Sequence, residues 1–138
     1  MNAWKNVAVL AAALAVMTAC AAGSREVKLS AGPSTPAAEG SVLFSVTKNG
    51  NTGIVLKVKY LPHPDKLTPP TSAYVVWTRA NKDAAAQNIG MMKVDADLVG
   101  LFNAETPLHS FDLFVTAEAS GEAQTPTGTS LLWTSYSR

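Results

Sequence analysis

Apolar and polar residues alternate along most of the chain after Gly40. The clearest alternation lies in two neighbouring segments, with apolar positions at Val42, Phe44 and Val46 and then at Ile54, Leu56, Val58 and Tyr60. A period of two places alternate side chains on one face of a strand. Between the segments, the Asn49-Gly50 pair favours the positive φ angles of a tight turn. The pattern therefore predicts a β-hairpin.

Further short strands are predicted downstream, at residues 73–79, 89–94, 98–103, 111–118 and 129–135. The only helical candidate covers residues 83–87 and is one turn at most. About seven short strands, separated by turns rich in Gly, Pro, Asn and Asp, predict an all-β fold, and we expect an antiparallel two-sheet sandwich. An eight-stranded barrel or a jelly roll stays open, because strand patterning does not determine how sheets close.

The chain begins with a different pattern. Lys5 is followed by an apolar run over residues 7–16 and then by Met17-Thr18-Ala19-Cys20, which contains the only cysteine. The run is too short for a spanning helix, which needs roughly 20 apolar residues. We therefore predict a lipoprotein signal peptide over residues 1–19 and acylation of Cys20. An ordinary cleaved signal or an uncleaved anchor is the alternative.

Residues 20–39 are rich in Ala, Ser, Pro and Gly, and we expect a lipidated cysteine and a flexible tether there. The segment 25–30 alternates weakly and could instead form a first edge strand. The β-domain is predicted to cover residues 40–138. Acylation of Cys20 would leave no thiol for a disulfide or a nucleophile, so the domain must be stabilised by its core.

Charge is nearly balanced, with 11 Lys and Arg against 10 Asp and Glu. The basic residues are scattered along the chain. Phosphate binding needs clustered Lys and Arg, so we expect no nucleic-acid partner, and no basic patch beside the anchor that would bind anionic lipid.

Metal-binding candidates are few. His63 and His109 are the only histidines and lie far apart in sequence. Met91-Met92 could offer soft ligands to copper, but adjacent strand residues face opposite sides. Asp95-Ala96-Asp97 resembles part of a calcium loop without its remaining ligands. The sequence therefore predicts no metal site and no cofactor.

Catalytic candidates are equally incomplete. Glu118 with Glu122 could act as an acid/base pair, and His109-Ser110-Phe111-Asp112 contains the residue types of a triad. Neither set comes with a nucleophile elbow, a glycine-rich phosphate loop or a third positioning group. We therefore predict no catalytic residues and no enzymatic activity.

Aromatic residues offer a further kind of site. Trp77 and Trp133 with Tyr74 and Tyr136 could form a platform for sugar or peptide. A tryptophan on a central sandwich strand usually belongs to the core. Trp133 and Tyr136 are expected to be the more exposed pair.

A series of short motifs runs through the domain. They are Leu61-Pro62-His63-Pro64, Tyr74-Val75-Val76-Trp77, Ile89-Gly90-Met91, Val94-Asp95-Ala96-Asp97 with Gly100, and Phe114-Val115-Thr116-Ala117-Glu118 leading to Pro126-Thr127-Gly128. Their order over residues 40–134 resembles the C-terminal extracytoplasmic domain of anti-sigma-K factors, with Ala119 where that family usually has proline. The resemblance implies an immunoglobulin-like sandwich outside the membrane. It implies no catalytic residues, and the family's spanning helix and sigma-binding segment are not expected in this chain.

These observations predict a lipid-anchored protein of the cell envelope. Ala21 and Ala22, with no aspartate beside Cys20, favour the periplasmic face of the outer membrane in a Gram-negative cell. We expect a non-catalytic β-sandwich used for protein interaction, sensing or envelope structure, with an envelope protein as partner. Edge strands and the loops at residues 62–70 and 120–127 are the candidate contact surfaces. A binder of carbohydrate or metal is the first alternative, and a hydrolase is the second.

Overall fold

The computed structural model describes residues 23–138, and the predicted signal peptide and Cys20 lie outside these residues. The described chain forms eight strands and one short 3₁₀ helix. The strands are β1 (Arg25–Ala31), β2 (Glu39–Val46), β3 (Thr52–Lys59), β4 (Ala73–Arg79), β5 (Gln87–Val94), β6 (Gly100–Thr106), β7 (Ser110–Glu118) and β8 (Leu132–Ser137), and the 3₁₀ helix is Pro64–Lys66. The all-β prediction is confirmed. In the described residues, no helix has the length and hydropathy needed to span a bilayer.

The strands close into a barrel in the order β1-β2-β3-β6-β5-β4-β7-β8, with every neighbouring pair antiparallel. This differs from the predicted two-sheet sandwich of about seven strands. Two pairings close the barrel. The first joins strands that are far apart in the sequence, and the second involves a strand whose apolar and polar residues alternate only weakly. One joins Ser30 to Trp133 across β1 and β8, and the other joins Lys93 to Leu101 across β5 and β6.

These two pairings are much shorter than the others. Each contains only two residue pairs, whereas β2 and β3 pair over their full length from Glu39↔Lys59 to Val46↔Thr52. We call the two short pairings the seams. They join a β1-β2-β3-β6 sheet to a β5-β4-β7-β8 sheet, so the barrel consists of two well-paired halves.

Strand β1 corrects the predicted domain organisation. Residues 25–31 lie within the segment expected to be a tether, yet they pair with β2 from Arg25↔Phe44 to Leu29↔Gly40. The segment between β1 and β2 is also fixed, since Thr35 and Ala38 are buried and Gly32 N donates to Leu131 O at 2.7 Å. The domain therefore begins at Arg25 and not at residue 40. The alternative of a first strand is confirmed, but β1 pairs with both β2 and β8 and is therefore not an edge strand.

The remaining predicted strands are observed with shifts of a few residues at their ends. The helical turn expected at residues 83–87 is absent, and β5 begins at Gln87. The β2–β3 hairpin is confirmed, but its loop is wider than a two-residue turn. Gly50 N donates to Thr47 O and Thr47 N donates to Asn51 O, both at 3.0 Å. Within this loop only Gly50 has a positive φ, at 80°.

The barrel interior is filled with apolar side chains from all eight strands. Its fully buried members include Val42, Phe44, Leu56, Val58, Tyr74, Val76, Leu113, Val115 and Leu132. A second, smaller cluster lies on the outer face of β4 and β7 and consists of Val75, Trp77 and Phe114, with Ala86 and Ala123 packed against it. Both faces of β4 are therefore buried, which explains why its sequence lacks clear alternation.

Candidate functional site

The most highly connected polar group in the described residues is the carboxylate of Glu118, at the end of β7. Its side chain is only 2% exposed. Oε1 accepts hydrogen bonds from Thr116 Oγ1 at 2.6 Å, Thr127 N at 2.9 Å and Gly128 N at 3.3 Å. Oε2 accepts from the Thr127 hydroxyl. The buried charge is therefore compensated by donors from its own strand and from the β7–β8 connection.

The network continues to the outer apolar cluster. Trp77 Nε1 donates to Thr116 Oγ1 at 2.8 Å, and the Trp77 ring stacks on Phe114 with 6.5 Å between centroids. Gly128 is needed for the approach of the loop, since a Cβ there would lie 2.7 Å from Ala117 O. The carboxylate thus anchors residues 127–128 beside β7.

Asn88 fixes the same connection at a second point. Its Nδ2 donates to Gly121 O and to Ala123 O, both at 2.9 Å. Asn88 lies where the β4–β5 register shifts between Val76 and Trp77, a bulge of the kind that redirects a side chain. The β7–β8 connection is therefore held over Trp77 by one carboxylate and one amide.

Burial raises the pKa of Glu118, but the hydrogen bonds from Thr116, Thr127 and Gly128 outweigh it, and the pKa lies below the ordinary glutamate value of 4.5. Glu118 is thus a carboxylate at neutral pH. Glu122 is exposed and is not among its partners, so the acid/base pair considered from sequence is not formed.

A second polar cluster lies on the outer wall beside Trp133. Asp112 accepts from Arg79 Nε at 3.1 Å and from Ser135 Oγ at 2.7 Å, and the Arg79 guanidinium lies 5.2 Å from the centre of the Phe114 ring. The hydrogen bond from Ser135 and the interactions with Arg79 lower the pKa of Asp112 against the opposing effect of burial. These residues border a surface depression of about 520 Å³ that Trp133 also lines, with 43% of the Trp133 residue exposed.

The other aromatic predictions have mixed outcomes. Trp77 belongs to buried structure, as expected, although it packs outside the barrel wall. Tyr136 was expected to be exposed with Trp133, but it is only 6% exposed because its ring packs inside the barrel, 4.2 Å from the Phe44 ring centre. Tyr74 is also buried and donates to Pro62 O at 2.6 Å. Burial raises the pKa of Tyr74 to about 12.

The histidines and the triad-like residues do not come together. His63 precedes the 3₁₀ helix beyond the end of β3, whereas His109 O accepts from Arg138 N at the end of the barrel that carries the β2–β3 hairpin loop. Asp112 contacts Arg79 and Ser135, and Ser110 Oγ donates to Tyr136 O at 3.4 Å. Among residues 23–138, no group of three or more His, Cys, Asp and Glu side chains is placed to hold a metal ion.

The methionine and aspartate motifs have structural explanations. Met91 is 44% exposed and Met92 is 2% exposed, which confirms that the two side chains face opposite sides of β5. In the β5–β6 turn, Asp95 Oδ1 accepts from Asp97 N at 2.9 Å and from Val99 N at 3.0 Å. Asp95 thus caps its own turn, as this residue type commonly does.

Sequence reasoning missed the partners of Glu118. Thr127 and Gly128 follow it by nine and ten residues, and the sequence connects the two motifs that contain these residues only through the resemblance to anti-sigma-K factors. The usable signal is a glutamate that ends the mostly apolar run Leu113–Glu118, because a buried carboxylate requires donors nearby.

The chain matches none of the known protein-family models and none of the curated proteins.

Proposed function

We propose that this chain is an envelope lipoprotein, cleaved before Cys20 and attached to the membrane by acyl chains on that residue. The supporting observation is the order of a charged tip, a short apolar run and Met17-Thr18-Ala19-Cys20 containing the only cysteine. Two or more acyl chains give durable attachment, since each buried CH₂ contributes about 0.8 kcal/mol. In a Gram-negative cell the expected location is the periplasmic face of the outer membrane.

The experiment is a Cys20→Ser substitution in the full chain, expressed in a bacterium with lipoprotein processing. We expect loss of acyl-chain labelling, accumulation of the precursor, and loss of sedimentation with membranes and of partition into detergent. A Ser24→Ala variant serves as the matched control, because it changes a nearby hydroxyl without removing the sulfur. Unchanged processing and membrane association of Cys20→Ser would overturn the proposal.

We infer further that the barrel acts by contact with another molecule and without catalysis. Glu118 and Asp112 support this role, because both carboxylates are engaged in hydrogen bonds that fix strands and loops. The apolar interior supports it as well, since the closely packed core makes the barrel a rigid scaffold for its end loops. Crosslinking in intact envelopes tests for an envelope protein partner. We expect a crosslinked species with the wild type. It should disappear when the loops at residues 62–70 and 120–127 are altered.

A relation to the extracytoplasmic domain of anti-sigma-K factors belongs to the same proposal. It is supported by the ordered motifs, two of which meet in space where Glu118 contacts Thr127 and Gly128. The relation to an immunoglobulin-like sandwich is supported by the two seams, which leave two halves that are each well paired. The role expected from this relation is sensing or interaction outside the membrane.

Carbohydrate binding is a second candidate function, favoured by the surface around Trp133. An exposed aromatic ring beside Arg79, Asp112 and Ser135 offers both a stacking face and hydrogen-bonding groups, which are the elements of sugar recognition. Titration with cell-wall glycans should then change tryptophan fluorescence and raise the melting temperature, and Trp133→Ala should abolish both effects. Unchanged fluorescence and melting temperature of the wild type would exclude this candidate.

A further inference from the structure

Charged residues in the connections are distributed unevenly between the two ends of the barrel. We define the far end as the connections at residues 32–38, 60–72, 95–99 and 119–131. Within these connections lie four acidic residues and one lysine, namely Asp65, Asp95, Asp97, Glu122 and Lys66. All five side chains are exposed. The far end therefore carries net negative charge.

The opposite end, the near end, consists of the start of β1, the β2–β3 hairpin loop, the β4–β5 and β6–β7 connections and Arg138. Its exposed basic residues are Arg25, Lys48, Lys82 and Arg138, against two exposed acidic residues, Glu26 at the start of β1 and Asp83 in the β4–β5 connection. The basic residues are scattered over more than a hundred positions of the sequence, and only the fold places them at one end.

Hydrogen bonds bring several of these residues onto one surface. Arg138 Nη2 donates to Gly50 O at 3.0 Å and to Thr52 Oγ1 at 3.1 Å, which ties Arg138 to the loop that carries Lys48. The Arg25 guanidinium lies 5.1 Å from the centre of the Tyr136 ring. Glu105, near the end of β6, accepts from Asn51 Nδ2 at 3.4 Å, and Asp112, near the start of β7, is paired with Arg79. The near end thus keeps an excess of cationic groups.

The near end is also where the chain leaves toward the predicted acylated cysteine. Arg25 is five residues beyond Cys20. Five residues span at most about 18 Å when fully extended. If the chain is anchored as proposed above, Arg25 lies within that distance of the bilayer surface, whichever conformation the intervening residues adopt.

We propose that the near end is a membrane-docking surface for anionic phospholipid headgroups, so that the barrel stands with its near end on the bilayer and its far end turned away. This inference rests on the proposed acylation of Cys20. Basic residues close to an anionic leaflet are attracted to it, and the acidic far end is repelled. Because the attraction decays over a Debye length of about 8–10 Å, the residues near the anchor contribute most. This proposal differs from the expectation that no basic patch lies beside the anchor.

The experiment uses the full-length lipidated protein in vesicles of phosphatidylcholine with and without phosphatidylglycerol. A fluorophore is attached to a cysteine introduced by Asn49→Cys at the near end or by Asp97→Cys at the far end, since Cys20 is blocked by its acyl chains. Lipids with a nitroxide on the headgroup quench the fluorophore. With phosphatidylglycerol present, we expect about twofold or greater quenching at position 49 relative to position 97, and a smaller ratio at high salt.

Charge-reversal variants distinguish an effect of the near-end charges from an effect of the protein's net charge. Arg25→Glu with Lys48→Glu should bring the quenching ratio close to one. The matched control, Lys57→Glu with Lys93→Glu, makes the same change in net charge on the exposed barrel wall and should leave the ratio unchanged. Equal quenching at the two positions in the wild type would overturn the proposed docking surface. The same decrease of the quenching ratio in both double variants would also overturn it.

The two proposals fail in different ways. If the Cys20→Ser variant is still processed and sediments with membranes, the acylation proposal is wrong. If the lipidated wild type sediments with vesicles but position 97 is quenched as strongly as position 49, acylation stands and the docking surface is wrong.

Discussion

The carboxylate of Glu118 is the residue on which the β7–β8 connection depends. Its oxygens accept hydrogen bonds from Thr116, Thr127 and Gly128 inside a nearly water-free site. A hydrogen bond to a buried charged group contributes more than one between neutral groups, because the alternative is an uncompensated charge. Glu118 therefore stabilises the fold by connecting a strand to the loop that covers Trp77.

Substitution of Glu118 by glutamine should lower the free energy of unfolding by about 1.5–3 kcal/mol. The amide keeps the shape of the side chain but loses the charge and one acceptor oxygen. Urea unfolding monitored by circular dichroism measures the change. Glu122→Gln, a substitution of the same type at an exposed position of the same connection, should change stability by less than about 0.5 kcal/mol. Equal effects of the two substitutions would contradict the structural role of Glu118.

Acid should destabilise the wild type in a way that depends on Glu118 and Asp112. Both have a folded-state pKa below the ordinary value, so their contribution is present above the unfolded-state pKa values of about 4. It is lost as the pH falls through the lower folded-state values. We expect the free energy of unfolding to decrease from about pH 5 downward. In Glu118→Gln the decrease should be smaller, as urea titrations at several pH values would show; an unchanged pH profile would argue against the depressed pKa.

At the scale of elements, β1 shows how composition can hide a strand. The segment around it is rich in Ser, Ala, Pro and Gly, which is typical of tethers, and its alternation is weak. Its pairing partners supply what the local pattern lacks: β2 binds one edge over five residue pairs, and Leu29 is buried in the core. Such long-range stabilisation leaves little trace in the local sequence.

The membership of β1 in the barrel is tested by truncating one side chain. Leu29→Ala should cost about 2–5 kcal/mol of stability, because it removes a buried leucine from the core. Leu43→Ala on the neighbouring β2 is the matched control, since Leu43 is 42% exposed on the outer face, and it should cost less than about 1 kcal/mol. A negligible effect of Leu29→Ala in chemical unfolding would mean that residues 25–31 act as a tether after all.

The other strands were predictable because one face of each is buried and the other is solvated. In β3, Ile54, Leu56 and Val58 point inward while Lys57 and Lys59 point outward. Strand β4 was predictable as a buried run, but its sequence does not say that Val75 and Trp77 face a second cluster outside the barrel. The Glu118 site was only half predictable for the same reason, since its partners come from a loop whose path is set by tertiary contacts.

At the scale of the whole molecule, the number of strands was nearly predictable and their closure was not. The Ser30↔Trp133 and Lys93↔Leu101 pairings depend on how the two halves curve toward each other. The alternation of apolar and polar residues indicates which face of each strand is buried. Because both a sandwich and a barrel bury one face of each strand, this alternation does not distinguish them. The distribution of charge between the barrel ends was likewise invisible in the sequence.

The barrel and the outer cluster should unfold together. Trp77 is joined to the barrel through Thr116 and Glu118, so its environment should persist until the strands separate. In a Trp133→Phe variant, Trp77 becomes the only tryptophan of the described residues. Its fluorescence transition in urea should then coincide with the circular dichroism transition. An earlier fluorescence transition would show that the β7–β8 connection detaches independently.

The pairing of the first strand with the last affects how the protein matures. For a secreted chain of the kind proposed here, β8 reaches the far side of the inner membrane after every other strand, so the ring cannot be completed during translocation. Contacts between residues about a hundred positions apart also form slowly, since a long loop must close first. If the chain is exported as proposed, the barrel therefore stays open until nearly all of the chain has crossed.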